Sequence, residues 1–442
     1  MKTKTVKNCN SDTAYKDTGI VWIGRVPKDF TTTKIKYLYD ISVGKPTSNT
    51  NRISDNLNNV LCVSAPDITW RGIDFDALSK SPFTRQDERA FILRQNDIIM
   101  REVGTPGIAC YVTETYEAMP LYFNSTVLKL SQKERIDFNP AILSRYMYYW
   151  SQLVYNSGHI EATYNAGRVY RHLPKRELSD FPICIPSEEK QKRITDYLDK
   201  KCDEIDRLLD KIVLEVKSLR DYQDQIIIQI LHRSRSADST KRTKLKYICK
   251  PINTKSALEC RNLDTLSFSN GNLLLLRDRD SLSISDKADR LLYNHVYPDD
   301  IVLNLMGTQY GVKTCRLVTE EGLISKGYLS LRLIRPDISD AKFLSMYLLG
   351  KISSEEVFTE IKSPQDILNI SVDLPSIEEQ KEIAAIISDK SDKIDRLIEL
   401  YSKEQQDLNK YRQAIIYEHL TGKEGKEGNE YSKRKRIGLG TA

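Results

Sequence analysis

Apolar residues recur alternately four and three positions apart along two stretches of the chain, residues 198–230 and 387–419. Steps of four and three average about 3.5 residues, the spacing that keeps one face of a helix against a partner helix in a coiled coil. The pattern therefore predicts two long helices, each with an apolar seam. The seam positions are Leu198, Ile205, Leu209, Ile212, Val216, Leu219 and Ile226 in the first helix and Ile387, Ile394, Ile398, Tyr401, Leu408 and Ile415 in the second.

Local signals mark where each predicted helix begins. Pro186 and Pro375 precede the two helices, where proline is tolerated, and Ser187 and Ser376 can cap the first turns. Glutamates follow in each first turn, where the positive end of the helix dipole favours negative charge. As a single helix, residues 189–231 would extend about 64 Å at roughly 1.5 Å per residue.

The two stretches belong to an internal duplication. The segment IPSEEKQK at residues 185–192 recurs as LPSIEEQK at residues 374–381, an offset of 189 residues. Further matches are residues 203–208 with 392–397, residues 219–231 with 408–420, residues 33–38 with 243–248, and residues 97–107 with 300–311. The chain therefore repeats the order of a globular segment followed by a long helix.

A lone apolar stripe would more often belong to an amphipathic helix packed on its own domain. Two copies with one seam register favour pairing of the two helices with each other. Polar residues interrupt the seams at Gln223 in the first helix and at Ser391, Gln405 and Arg412 in the second. Such positions can fix the register of paired helices at some cost in stability.

The segments before the helices are typical of mixed α/β structure. Short β-branched runs at residues 91–100 and 300–305 predict strands, and residues 104–107 and 307–311 predict turns that lead into second strands. Helical spacing follows at residues 141–153 and 341–349, and residues 233–242 are polar and basic, as in a linker. We therefore expect an α+β fold, with two mixed α/β segments joined by two long helices in an internal repeat with pseudo-two-fold symmetry.

Composition narrows the class of protein without deciding its function. At 442 residues, with 40% hydrophobic and 29% charged residues, the chain suggests two or more globular domains. No apolar run reaches the roughly 20 residues of a membrane span, and the N-terminal segment lacks a secretion signal. The cysteines form no CxxC pair and are interpreted as reduced thiols of a cytoplasmic protein. A formal charge of +6 permits nucleic-acid binding without requiring it.

The arrangement resembles the DNA-specificity subunit of type I restriction–modification systems. Residues 15–27 (YKDTGIVWIGRVP) and 34–38 resemble the opening of that family, and residues 374–381 resemble the block that begins its helices. The resemblance extends from about Tyr15 to Gly422. It implies two target recognition domains that each read one half of a split, asymmetric site on double-stranded DNA. It also implies that the two helices are antiparallel and set the spacing between the half-sites.

The same resemblance implies partners and a division of the chain. The expected partners are two modification (methyltransferase) subunits and, in the full complex, two restriction (motor-nuclease) subunits, which would use S-adenosylmethionine, ATP and magnesium. The expected parts are an N-terminal extension (1–33), a first recognition domain (34–185), a first spacer helix (186–232), a linker (233–243), a second recognition domain (244–373), a second spacer helix (374–422) and a basic, disordered tail (423–442).

Reading bases requires side chains with forked donors and acceptors, such as arginine toward guanine and asparagine or glutamine toward adenine. Side chains of this kind on predicted loops are the candidate DNA contacts. They are Arg71, Arg85, Arg101, Arg168 and Arg171 in the first domain, and Asn304, Gln309, Lys313, Lys326, Lys362 and Gln365 in the second. For each of them the simpler interpretation is a solvated surface charge or a phosphate contact, because lysines in particular more often neutralise phosphates than read bases.

Motifs of the expected partner activities are absent from the sequence. It contains no GxxxxGK[S/T] loop and no [N/D]PPY methyltransferase motif, and its five histidines are dispersed. We therefore expect a chain that binds no cofactor or metal and is not itself an enzyme. Two other functions remain possible. Pro298, Asp299, Glu360 and Lys362 loosely resemble a nuclease motif, which would suit a catalytic restriction component. A coiled-coil adaptor without sequence preference is the third interpretation.

Overall fold

The structure, a computed structural model, describes residues 14–20, 22–46, 58–114, 120–165, 171–234, 240–252, 263–269, 272–276, 293–304, 314–352 and 363–423. These residues form two compact units. The first unit takes the described residues up to Leu209 together with those from Gln405 onward, and the second takes those from Asp210 to Glu404. Each long helix therefore contributes one part to each unit.

The first unit contains thirteen described strands and four short or medium helices. The strands are β1 (Tyr15–Asp17), β2 (Arg25–Pro27), β3 (Thr31–Lys34), β4 (Tyr39–Val43), β5 (Asn58–Val63), β6 (Ile68–Thr69), β7 (Gly72–Ile73), β8 (Ser79–Phe83), β9 (Ile98–Arg101), β10 (Ala109–Tyr111), β11 (Tyr122–Phe123), β12 (Val127–Gln132) and β13 (Pro182–Ile185). The helices are α1 (Ile35–Leu38), α2 (Arg85–Ala90), α3 (Pro140–Asn156) and α4 (Lys175–Asp180).

An antiparallel sheet in the order β10-β9-β12-β4 is central to the first unit. Successive residues of β9 point to opposite faces. Ile99 packs into an apolar cluster with Phe123 and Ile68, and α3 lies against β9 and β10. The α3 helix begins at Pro140, where Asn139 caps the free backbone N–H groups, and it buries Trp150 completely.

The second unit repeats this plan. Its strands are β14 (Lys241–Lys244), β15 (Cys249–Pro251), β16 (Thr265–Ser269), β17 (Asn272–Leu276), β18 (Asn294–Val296), β19 (Ile301–Asn304), β20 (Thr314–Leu317), β21 (Gly322–Ile324), β22 (Leu329–Leu333) and β23 (Ser371–Leu374). The helices are α6 (Ala341–Ile352) and α7 (Pro364–Leu368). The sheet order β20-β19-β22-β15 matches β10-β9-β12-β4 of the first unit, again with antiparallel neighbours.

A two-stranded ribbon leads into each long helix. β3 pairs with β13 just before α5 (Glu188–Ser234), and β14 pairs with β23 just before the last helix of the described chain, α8 (Ile377–Thr421). With 47 and 45 residues, the two helices extend about 70 Å and 67 Å at roughly 1.5 Å per residue. The backbone N–H of Glu379 donates to Ser376 Oγ (3.2 Å), so this serine caps α8.

The two long helices run antiparallel in each unit. In the first unit, the Tyr197 ring of α5 packs against the His419 ring of α8, with centroids 4.2 Å apart. Further along α5, Asp206 contacts Arg412, which precedes His419 in α8. The two helices therefore run in opposite directions. In the second unit, Ile227 and Leu231 of α5 share an apolar core with residues 383–387 of α8. The predicted α+β fold with two long paired helices is therefore confirmed.

Some boundaries differ from those expected. The run 91–100 is not one strand: residues 94–97 form a turn in which Asn96 has a φ of +68°, and β9 starts only at Ile98. The first long helix continues through Ser234 and β14 starts at Lys241, so regular structure enters both ends of the expected linker. The expected N-terminal extension includes most of β3. β14 forms by pairing with β23, and β3 forms by pairing with β13. Because these partners are distant in sequence, no local pattern marks where β14 and β3 begin. Residues 424–442 of the expected tail lie outside the described residues.

The start of the chain packs against the end of α8. The Tyr15 hydroxyl donates to the carbonyl oxygen of Gly422 (2.5 Å), and Lys423 Nζ donates to the carbonyl oxygen of Ile23 (3.3 Å). Gly422 adopts a φ of +64°, and a Cβ atom there would lie 2.3 Å from Pro27 Cγ. Glycine is therefore required for this closure of the first unit.

Candidate nucleic-acid interface

A buried aspartate anchors the start of the same central strand in each unit. Asp97 lies just before β9, where its carboxylate accepts from the backbone N–H of Arg94 (2.8 Å) and from the Ser131 hydroxyl (2.6 Å). Asp300 lies just before β19 and forms two hydrogen bonds with the Arg332 guanidinium, at 2.8 and 2.7 Å. These bonds raise the pKa of Arg332 against the opposing effect of burial. A buried, hydrogen-bonded carboxylate in this position fixes where β9 and β19 begin.

The far ends of these strands carry two of the candidate DNA contacts at repeat-equivalent positions. Arg101 ends β9, and Asn304 ends β19. The Arg101 guanidinium donates to the carbonyl oxygen of Ile68 from Nε (2.8 Å) and Nη2 (2.6 Å), and from Nη1 to Thr105 Oγ1 (2.7 Å). Desolvation lowers its pKa. Arg101 therefore fastens the β6–β7 hairpin onto the sheet, and in this structure its fork is occupied by protein acceptors.

Arg171 and Arg71 lie around the same hairpin and strand end. The carbonyl oxygen of Arg171 accepts from the N–H of Gly104 in the β9–β10 turn (3.2 Å), and its side chain lies 3.3 Å from Glu161. Arg71 occupies the turn between β6 and β7, and its guanidinium lies 3.8 Å from the Asp206 carboxylate. The structure thus gathers three of the predicted arginines at one edge of the first unit.

The other described candidates lie on other elements of their own units. Arg85 is the exposed first residue of α2, Lys326 is exposed in the turn between β21 and β22, and Gln365 is exposed on α7. Asn304 is half-buried. The remaining candidates lie outside the described residues; they are Arg168, Gln309, Lys313 and Lys362.

The predicted seam positions face inward along both helices. None of them is exposed, although Val216, Leu219, Ile398 and Tyr401 are only half-buried. The others are buried: Leu198, Ile205, Leu209, Ile212, Ile226, Ile387, Ile394, Leu408 and Ile415. Two of the four polar seam residues meet aspartates of the facing helix. Arg412 Nη1 donates to Asp206 Oδ1 (2.7 Å), and Gln223 Nε2 donates to Asp395 Oδ1 (3.4 Å).

These two aspartates are functional candidates that sequence reasoning missed. Asp206 and Asp395 lie next to the seam rather than in it, where a carboxylate normally indicates a solvated helix face. The signal that could have found them is the duplication, because an offset of 189 residues relates Asp206 to Asp395 and Gln223 to Arg412. The two cross-helix contacts are therefore copies of each other in the two repeats.

The nuclease-like residues are only partly described. Asp299 is exposed and has a φ of +71°, whereas Glu360 and Lys362 lie outside the described residues. Within the described ranges, no three His, Cys, Asp or Glu side chains are grouped so that they could hold a metal ion. Among those same residues, no helix combines the length and the apolar character needed to cross a membrane.

Comparison with known proteins finds a family match in the first half of the chain. A family model described as the type I restriction modification DNA specificity domain matches residues 27–217, which include the central sheet of the first unit and the start of α5. Residues 27–217 of the chain therefore match the type I restriction–modification DNA-specificity domain. The predicted role in DNA recognition is confirmed at this level.

One solved structure supports the fold, and two others are also similar to this chain. A chain from a structure that describes complex assembly and conformational transition of the type I R-M system matches with a TM-score of 0.56 at 14% identity, covering 90% of this chain and 99% of that chain. The HsdS subunit from Thermoanaerobacter tengcongensis matches at 15% identity over 90% of this chain and 98% of its own, with a TM-score of 0.39. The type I S subunit from M. genitalium matches at 15% identity over 89% and 96%, with a TM-score of 0.33.

Proposed function

We propose that this specificity subunit reads a split, asymmetric DNA target, with one half-site read by each unit and the long helices setting the spacing. One observation carries the proposal. The two units keep the same central sheet and the same buried aspartate, yet the strand end after that aspartate carries Arg101 in one unit and Asn304 in the other. Two domains with the same sheet but different residues at the strand ends are suited to bind two different half-sites. For the bases themselves, Arg85, Arg171, Asn304, Lys326 and Gln365 remain the described candidates.

The proposal assigns chemistry to partner subunits. The chain itself would bind no cofactor and perform no catalysis, while two modification subunits use S-adenosylmethionine and two restriction subunits use ATP and magnesium. The absence of nucleotide and methyltransferase motifs from the sequence supports this division. The six described cysteines are buried free thiols, which supports a reducing cytoplasmic location.

Repeat-equivalent apolar side chains support two copies of one partner. Leu208 and Leu397 are 49% and 46% exposed on the long helices, and Tyr197 and Ile386 are 39% and 51% exposed. Each pair is related by the offset of 189 residues. Apolar side chains that stay exposed at matching positions of both repeats indicate a surface that is used twice.

The test is a segment exchange in the complete system. Residues 34–180 are replaced by the equivalent segment of a related specificity subunit, and the chain is expressed with its modification subunit. Sequencing of methylated DNA should then show one changed half of the motif, with the other half and the spacer unchanged. A matched exchange of residues 244–370 should change only the opposite half. Changes in both halves after one exchange, or in neither, would contradict the assignment of one half-site to each unit.

A second measurement addresses the other functions. The purified chain is incubated with DNA, S-adenosylmethionine, ATP and magnesium, and neither methylation nor cleavage is expected. Cleavage that disappears in Asp299→Asn would support a catalytic restriction component. Binding to a random DNA pool without enrichment of any motif, in the presence of the modification subunit, would support the adaptor.

A further inference from the structure

A cleft of about 380 Å³ lies in the first unit where the sheet meets both long helices. Its wall is formed by the β6–β7 turn, by β10 and α3, by α5, and by a single residue of α8, Arg412. The β6–β7 turn is thus one part of the sheet region that lines this cleft beside the paired helices. Contacts of this turn therefore help to join the sheet region to the helices within this unit.

The Asp206 carboxylate connects three elements in this cleft. Its Oδ1 accepts from Arg412 Nη1 at 2.7 Å, and the Arg71 guanidinium lies 3.8 Å from the same oxygen. The Arg412 side chain is only 15% exposed, whereas that of Arg71 is 55% exposed. Burial by itself would lower the pKa of Arg412, but Cys202 and Asp206 favour the charged form and the pKa is raised. A single carboxylate therefore joins α5 to α8 and to the β6–β7 turn.

The turn is also held from its other side. The Tyr148 hydroxyl of α3 donates to the carbonyl oxygen of Trp70. The Trp70 ring meets the rings of Tyr148 and Tyr155 edge-on, with centroids 6.2 and 5.5 Å apart. Aromatic packing of this kind orients a short turn more precisely than its two backbone pairs could. Arg71, the next residue, is consequently directed to Asp206 by a turn that is fixed on both sides.

The second unit contains a counterpart built from different residues. Asp395, the repeat equivalent of Asp206, accepts from Gln223, the repeat equivalent of Arg412 (3.4 Å). In β20, burial lowers the pKa of Arg316, and Cys315 and Asp395 oppose that effect. Both units therefore pair an aspartate beside the seam with a polar seam residue of the other helix. Preservation of this plan across diverged halves indicates a shared requirement.

We infer that Arg71, Asp206 and Arg412 form a joint that fixes the first recognition unit on the paired helices, so that Arg71 is a positioning residue rather than a reader of bases. The inference rests on the proposed function, because the joint matters for the distance between half-sites. Loosening it would let the first half-site be engaged at more than one distance from the second. The bases read in the first half-site would stay the same.

The test uses the full chain together with its modification subunit and a DNA library. The library carries both half-sites with spacers varied around the natural length, and also randomised positions within the first half-site. The variants are Arg71→Ala, Asp206→Asn and the double variant. Asp203→Asn is the matched control, because it removes the same charge from an exposed residue of the same cleft.

For each variant we measure methylation of sites whose spacer is one base pair longer or shorter, relative to sites with the natural spacer. This ratio should be about three- to fivefold higher in each single variant than in the parent chain. That is the change expected for loss of one partly exposed ion pair. The double variant should go little further than Asp206→Asn alone, because Asp206→Asn already weakens the contact that Arg71→Ala removes. The base preferences of the first half-site, and the Asp203→Asn control, should match the parent.

Two results would overturn the joint. One is an unchanged spacer preference in both single variants. The other is a relaxed base preference in Arg71→Ala that Asp206→Asn does not share, which would make Arg71 a reader of DNA. If Asp206→Asn folds poorly, Arg71→Ala, a change at an exposed side chain, still decides between these outcomes. If the parent chain and its modification subunit methylate no split motif, that result would refute the proposed function rather than the joint.

Discussion

Shortening both long helices by one heptad tests whether they set the spacing of the target. The helices share one register in both units, since the residue numbers of Asp206 with Arg412 and of Gln223 with Asp395 add to the same value, 618. Deletion of residues 209–215 from α5 is therefore matched by deletion of residues 403–409 from α8. Seven residues keep the 3.5-residue seam in phase, and both polar cross-helix contacts are retained.

The expected size of the effect follows from helix and DNA geometry. Seven residues shorten a helix by about 10 Å at roughly 1.5 Å per residue. DNA rises about 3.4 Å per base pair, so the shortening corresponds to about three base pairs. Three base pairs also turn the duplex through nearly a third of its helical repeat of about 10.5 base pairs. We therefore expect either a motif whose spacer is shorter by about three base pairs or loss of modification, in both cases with folded helices.

Sequencing of methylated DNA reports the spacer, and circular dichroism reports the helices. The matched control deletes residues 209–215 alone, which leaves α8 at full length and should break the pairing in one of the two units. That variant should be less stable than the double deletion, although it removes fewer residues. A well-folded double deletion that still methylates the parental motif with the parental spacer would show that another feature sets the distance.

Three further predictions concern stability and titration. Leu209→Asp places a charge in the buried seam and should cost roughly 3 kcal/mol in denaturant unfolding, whereas Lys211→Asp, at an exposed position, should change little; equal losses would contradict the seam. Gly422→Ala should lower the Tm of the chain, because this glycine has a φ of +64° and no space for a Cβ; an unchanged Tm would show that the closure is not required. The Lys36 and Lys34 ammonium groups lower the pKa of Asp180 from its usual value of 3.8 to about 2. The contribution of Asp180 to the stability of the fold should therefore be complete above pH 3.8 and be lost as the pH falls through about 2. An NMR titration of Asp180 with a midpoint near 3.8 would refute its pairing with the two lysines.

The parts of the fold that the sequence predicted are those with a repeating local signal. The 3.5-residue period predicted both long helices, and the polar seam residues Gln223 and Arg412 indicated where their register is fixed. The structure supplies what the pattern lacked, namely the aspartates that receive those side chains. Sequence periodicity places a residue on a face of a helix, but it does not give the length of the side chain that reaches across from the partner.

Sequence reasoning did less well where backbone geometry or distant pairing decides the structure. The run 91–100 has the composition of a strand, but a positive φ at Asn96 turns the chain just before β9. The ribbons β3–β13 and β14–β23 join segments more than a hundred residues apart, and of their four strands only β23 has alternating polarity that would mark it. Their role becomes clear only in the structure, where each ribbon ends immediately before a long helix.

The candidate DNA contacts show the same limit at the level of side chains. Arg101 and Arg71 were selected because a guanidinium can form the paired donors that guanine accepts. The same property lets Arg101 hold backbone carbonyl oxygens and lets Arg71 face a carboxylate, and a sequence does not distinguish these acceptors. The burial of the acceptor distinguishes them. A carbonyl oxygen buried within the fold needs a hydrogen-bond donor from the protein, whereas the edge of a base can instead bond to water. An arginine near the interface with several protein acceptors should therefore be assigned to positioning first, and the residues that read bases should be sought among side chains whose donors remain exposed.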